Sequence, residues 1–206
     1  MSMFEQDLDR GAANYVPLSP VSFLTRTALA YGPKVAVIHG ARRYTYTQFL
    51  DRCRRLASAL ATAGVGVGDT VAVMAPNTPE MLEAHYAVPM LGAVLCAINI
   101  RLDAAAVAFI LDHSECKVVL TDTEFAPVMG PALAAARGRP LVVDIDDVLA
   151  AGGARIGTTE YETFIAAGDP SHPVRLPDDE WRAIALNYTS GTTGNPKGVV
   201  AHHRGA

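Results

Sequence analysis

Between Thr189 and Gly198 the chain reads TSGTTGNPKG. Gly191 and Gly194 let the backbone take conformations closed to other residues, so its N–H groups can approach and surround an anion. Thr189, Ser190, Thr192 and Thr193 add hydroxyl donors, and Lys197 adds a mobile positive charge suited to phosphate. Together these residues point to binding of a nucleotide polyphosphate. The loop is not a Walker A loop. That pattern needs glycine directly before the lysine and a hydroxyl residue after it, whereas here Pro196 precedes Lys197 and Gly198 follows. A plain Gly/Thr-rich surface turn is the alternative, and turn geometry alone explains such a concentration of donors poorly.

Other candidates carry less. GVGVGD at 64–69 puts Asp69 where a dinucleotide fingerprint needs its third glycine, and the cluster precedes a β-rich run instead of following one. A helix stop and turn is the better reading. His202 and His203 are adjacent, and neighbours on a strand face opposite ways, so a shared metal is disfavoured. His203 lies just beyond the loop and could face the ligand. His39, His85, His113 and His172 have no partner at useful spacing, and Arg101 reads as a solvated or structural arginine.

The loop must hang from something. WRAIALNYT before it reads as a buried strand, and loops at strand ends are where open α/β sheets place ligands. Upstream, VSFLTRTALAYG reads as a helix, and 35–39 with 44–46 as a hairpin. Thr47 is placed to cap the helix QFLDRCRRLASALATAG, whose apolar stripe holds Phe49, Leu50, Cys53, Leu56 and Leu60. Then TVAVMA, VLCAIN, KVVLTD and PLVVDI alternate with helices MLEAHYAVPMLGA, DAAAVAFILDHS and FAPVMGPALAAAR. Pro79 starts the first of these helices, and Pro89 is expected to bend it. Such alternation implies an α/β fold with a largely parallel sheet flanked by helices. Residues 1–20 read as an irregular arm, and 147–180 as a polar connection with one short helix, EYETFIAAG. GVVAHH reads as a last short strand. No internal repeat is evident.

Composition sets the bounds. The 206 residues are 50% hydrophobic and 18% charged, with a net charge of −4. This is globular composition, and its charge disfavours a nucleic-acid surface. Cys53, Cys96 and Cys116 are widely spaced and read as reduced, buried thiols. The acidic N-terminus lacks the apolar core of a secretory signal. The longest apolar stretch, 87–100, contains Pro89 and Gly92 and is shorter than the roughly 20 residues of a bilayer span. A cytoplasmic protein is expected.

YTSGTTGNPKGVV closely resembles the phosphate-binding signature of the adenylate-forming (AMP-binding) superfamily. The likeness extends through YTYTQFLDRCRRLASALATAGVGVGDTVAVMAPNTPEMLEAHYAVPMLGAV and the NIRL turn, and weakens only from about Asp147 to Glu180. NYVPLSPVSFLTRTALAYGPKVAVIHG resembles the start of an acyl-CoA synthetase branch acting on short, medium-chain or aromatic acids. The resemblance implies an ATP-dependent acid–CoA ligase that forms an acyl-adenylate and then an acyl-CoA thioester, releasing pyrophosphate and AMP. It implies a small carboxylic acid, ATP, Mg2+ and coenzyme A as reactants, with no nucleic acid and no transmembrane segment; a homodimer is left open. By position, Thr189, Ser190, Gly191, Thr192, Thr193, Gly194 and Lys197 would touch the phosphates, and His203 matches a histidine at the edge of the acyl pocket. The family's adenine, ribose, magnesium and adenylation-lysine motifs are not found up to Ala206. The chain is therefore expected to be the N-terminal part of the large domain, without the C-terminal lid domain and inactive alone. Two alternatives are a non-catalytic phosphate- or partner-binding module and a peptide-synthetase-type adenylation domain.

Overall fold

The computed structural model describes residues 2–189 and 196–206. After an arm with a 3-10 turn at Met3–Glu5, helix α1 (Val21–Tyr31) leads into the hairpin β1 (Val35–His39) and β2 (Arg42–Thr45). Helix α2 (Tyr46–Thr62) follows, then β3 (Thr70–Met74), α3 (Pro79–Met90), β4 (Val94–Ala97), α4 (Ala104–His113) and β5 (Val118–Asp122). The described chain continues with α5 (Ala126–Ala135), β6 (Leu141–Ile145), β7 (Thr159–Glu160), α6 (Tyr161–Ala166), β8 (Ala183–Thr189) and β9 (Lys197–His202). Seven strands form one sheet in the order β7-β6-β5-β3-β4-β8-β9. Its pairs are parallel except β8–β9.

Local signals set the helix starts. Thr45, not Thr47, caps α2: its hydroxyl accepts from Gln48 N while the Gln48 side chain accepts from Thr45 N. Thr45 ends a strand and keeps an extended backbone, as a cap must, whereas Thr47 is already helical. Thr78 and Asp103 cap α3 and α4 by accepting from Met81 N and Ala106 N, without the reciprocal bond. Pro89 stands in the last turn of α3, one residue before its end. Gly64 stops the α2 segment with φ +87, as the 64–69 cluster predicts.

Period-two alternation sorts the strands between two cores. Val71 and Val73 of β3, Leu95 of β4, and Val118 and Leu120 of β5 face α1, α2, α3 and α6. Ala72 and Met74, Cys96 and Val119 face α4 and α5 on the other side. Leu56 and Leu60 of α2 are fully buried, each contributing about 2 kcal/mol of transfer free energy. A polar knot sits at the edge of the first core. Arg52 of α2 reaches Glu83 of α3 at 2.6 Å and Glu162 of α6 at 2.6 Å, and the Tyr161 hydroxyl donates to Glu83 at 2.7 Å. Burial disfavours the Arg52 cation, but the Glu162 and Glu83 carboxylates outweigh it and hold the guanidinium charged. The 147–180 connection is not uniformly irregular: the two-residue β7 precedes the expected short helix and pairs with β6.

Candidate functional site

Strands β8 and β9 form an antiparallel hairpin at one edge of the sheet. Its register sets Leu186 opposite Val200, Tyr188 opposite Gly198, and Thr189 opposite Lys197. Thr189 and Lys197 are both exposed, so the pairing brings a hydroxyl and a cation together at the hairpin's tip. Ser190, Gly191, Thr192, Thr193 and Gly194, which the sequence reading also assigned to phosphate, lie outside the described residues. The expectation of a buried strand before the loop needs correction. In β8 only Ile184 is buried, and in β9 Val199 and Val200 are 51% and 61% exposed. The two strands are the sheet's last pair among the described residues, and among these no further strand covers β9.

His203 sits away from the tip. It is fully buried, its Nδ1 lies 2.8 Å from the Ser19 hydroxyl, and its backbone N–H donates to Arg182 O. Burial depresses its pKa and keeps the ring neutral. The ring ties the N-terminal arm to the base of the hairpin. His202 instead accepts from Gly205 N at 3.0 Å and packs on Trp181. Among the described residues no His/Cys/Asp/Glu group is placed to hold a metal ion. His85 bonds the Met81 carbonyl, and Arg101 is exposed.

The structure also assembles a cluster that sequence reading missed. Open α/β sheets offer a second ligand position, the crevice at the carboxyl ends of strands where the winding direction reverses. Here β3 leads to β4 on one side, and α4 then crosses back to set β5 on the other. Asp122 ends β5, and Glu80 stands in the first turn of α3 just after β3. Arg42 of the hairpin reaches Glu80 at 2.5 Å and Asp147 at 3.3 Å, and His39 reaches Asp147 at 2.9 Å. Burial raises the Asp122 carboxyl to about 6, with the nearby Glu124, Asp147 and Glu80 charges adding to it. Three buried carboxylates repel phosphate, and Arg42 is already committed to two of them. The crevice therefore favours internal bonding, and the nucleotide-type signal stays with the hairpin. Each acid ends or follows a strand and looks ordinary in sequence; only the return of Arg42 across 105 residues reveals the cluster.

A cavity of about 680 Å³ lies between β1, α3 and β8, walled mainly by Val37, Ile38, Met81, Tyr86, Pro89 and Ile184. No lysine or arginine lines it, which argues against a polyphosphate there.

The geometry agrees with comparisons to known proteins. A family model described as AMP-binding enzyme matches residues 24–206. A peroxisomal acetate/butyrate–CoA ligase of Arabidopsis thaliana is 50% identical over 97% of this chain and 37% of its own length. An acetate–CoA ligase of Humulus lupulus is 46% identical with the same coverages. The chain thus spans little more than a third of these curated relatives. Among solved structures, an anthranilate CoA ligase in complex with anthranoyl-AMP shares the fold, with a TM-score of 0.83 over 95% of this chain and 37% of that one, at 23% identity. No helix among the described residues is long and apolar enough to cross a membrane. A largely parallel sheet wrapped on both faces, ending in a hairpin whose paired Thr189 and Lys197 flank the sequence SGTTGNP, and a family match across nearly nine-tenths of the chain lead to one assignment: this protein belongs to the AMP-binding enzyme family.

Proposed function

We propose that the chain is the N-terminal part of an ATP-dependent acid–CoA ligase. The observation that carries this is the hairpin register, which pairs Thr189 with Lys197 and so closes the glycine- and hydroxyl-rich segment between two phosphate-compatible ends. The names of the relatives, CoA ligases for acetate and butyrate, support a short carboxylic acid as substrate. In the proposed reaction a carboxylate oxygen attacks the α-phosphorus of ATP, and pyrophosphate leaves. The acyl-adenylate then meets the thiol of coenzyme A; sulfur bonds the acyl carbon, AMP leaves, and the thiol proton passes to solvent. A carboxylate oxygen is a poor leaving group, and adenylation converts it into a good one.

Within this scheme Thr189, Ser190, Gly191, Thr192, Thr193, Gly194 and Lys197 hold the β- and γ-phosphates and disperse charge as pyrophosphate departs. Magnesium enters with the nucleotide's phosphates, and no described residue is assigned to it. His203 is left out of the chemistry because its ring is enclosed and bonded to Ser19. Residues 1–20 and 147–180 serve as arm and connection within the same large domain. The cytoplasm stands as the proposed location beside the peroxisome named for the Arabidopsis relative, and cell fractionation separates the two.

ATP–pyrophosphate exchange with the full-length protein and a panel of short and aromatic acids tests the reading. Lys197→Ala should raise KM for ATP at least tenfold, the cost of a charge-assisted contact, while an exposed lysine leaves the melting temperature nearly unchanged. Wild-type exchange kinetics in that variant would remove the phosphate role.

A further inference from the structure

The tip of the β8–β9 hairpin has little backbone support from the body of the sheet. β8 pairs with β4 through Leu95 and Ala185, and β4 ends at Ala97. Carried forward, that register sets Ala97 level with Asn187, so Tyr188 and Thr189 run past the end of β4. On the other side β9 is the last strand of the sheet among the described residues. A side-chain strut spans the gap instead. The Tyr188 ring packs on the core beneath α4 and α5, and its hydroxyl lies 2.7 Å from His113 Nδ1 at the end of α4. The two rings meet edge to face at 5.7 Å, and His113 stacks on Phe109 at 5.3 Å. Gly198 faces Tyr188 across the hairpin and leaves this arrangement room. A Cβ there would stand 3.0 Å from Leu186 and 3.6 Å from the Tyr188 ring.

We infer that His113 is a positioning residue for the phosphate-binding segment, acting through Tyr188 to fix the pitch of the hairpin tip against α4. The inference rests on the proposed phosphate role of residues 189–197. His113 touches no substrate in this scheme. Its effect arises because Thr189 follows Tyr188 directly and Lys197 is paired to Thr189, so a shift of the Tyr188 ring moves both ends of the segment. Small displacements of positioned groups weaken transition-state contacts well beyond their size.

The test uses the full-length protein and four variants: His113→Ala, Tyr188→Phe, His113→Asn and Lys197→Ala. The asparagine amide occupies nearly the place of Nδ1 and can keep the bond to the tyrosine hydroxyl. KM for ATP, KM for the acid and kcat are measured by pyrophosphate exchange, with melting temperatures alongside. His113→Ala and Tyr188→Phe should each raise KM for ATP about fivefold, the worth of roughly one net hydrogen bond. KM for the acid should stay unchanged, and His113→Asn should restore the wild-type value. If Lys197→Ala impairs ATP use while His113→Ala and Tyr188→Phe do not, the strut has no positioning role and the phosphate role survives. If Lys197→Ala also leaves ATP use intact, the phosphate role fails and this inference falls with it. Equal losses for both substrates with a lowered melting temperature and no rescue by His113→Asn would reduce the pair to ordinary packing and overturn the proposal.

Discussion

Replacing Asp122 by asparagine should stabilise the protein at neutral pH, with the gain shrinking on acidification. The Asp122 side chain has no exposed surface. One carboxyl oxygen accepts from Glu124 N at 3.0 Å, and Oδ2 has no partner among the described residues. Burial, reinforced by the Glu124, Asp147 and Glu80 carboxylates, raises its pKa from 3.8 to about 6 against the opposing Glu124 hydrogen bond. The cations nearby face other acids: Arg42 binds Glu80 and Asp147, and His39 binds Asp147. At about 1.4 kcal/mol per pKa unit, the difference is worth roughly 3 kcal/mol. The sign follows from proton linkage. The unfolded chain loses this proton near pH 3.8, while the folded chain keeps it until about 6, so folding is penalised progressively between those values and fully above them. The penalty is about 1.6 kcal/mol at pH 5 and about 3 kcal/mol at pH 7.5. Asparagine keeps the acceptor for Glu124 N and carries no charge at any pH. Unfolding of both forms at pH 5 and 7.5, by urea or by heat, should show the variant's advantage growing by about 1.4 kcal/mol across that interval. Titrating groups that do not face Asp122 cancel in the comparison. A difference independent of pH, or a variant less stable than wild type at pH 7.5, would refute the reasoning and show that the buried carboxylate is compensated.

Two structural predictions concern how α2 is held. Tyr161→Phe removes the hydroxyl bonded to Glu83 and leaves a fully buried carboxylate oxygen one donor short; urea denaturation should register a loss of about 1–3 kcal/mol, and an unchanged midpoint would show that Arg52 alone satisfies Glu83. Gly168→Ala places a Cβ 2.1 Å from the Arg55 carbonyl oxygen, a backbone clash that no rotamer relieves. It should lower the melting temperature by several degrees, consistent with a cost of about 2 kcal/mol or more, and a neutral result would mean that the α2–α6 contact is looser than the packing implies.

The elements were legible because their signals are local. Short, nearly continuous apolar runs marked β3 to β6, Asp103 and Pro79 stood at helix starts, and Gly64 marked a stop, since each acts within a turn of its own position. The proposed phosphate-binding segment could be put forward from sequence for a related reason: its candidate donors are consecutive residues. Thr47 was read as the cap in place of Thr45 because two threonines two residues apart compete for it, and only the backbone of β2 decides between them. The exposure of β8, the switch-point cluster around Arg42, the enclosure of His203 by Ser19, and the Tyr188–His113 strut join residues 75 to 184 positions apart or depend on which strand ends the sheet. No local propensity encodes such meetings. The sequence by itself determined the order of strands and helices and which consecutive residues are candidates to meet a phosphate. Tertiary structure decided where the hairpin stands, what steadies it, and which of the six histidines lie near it.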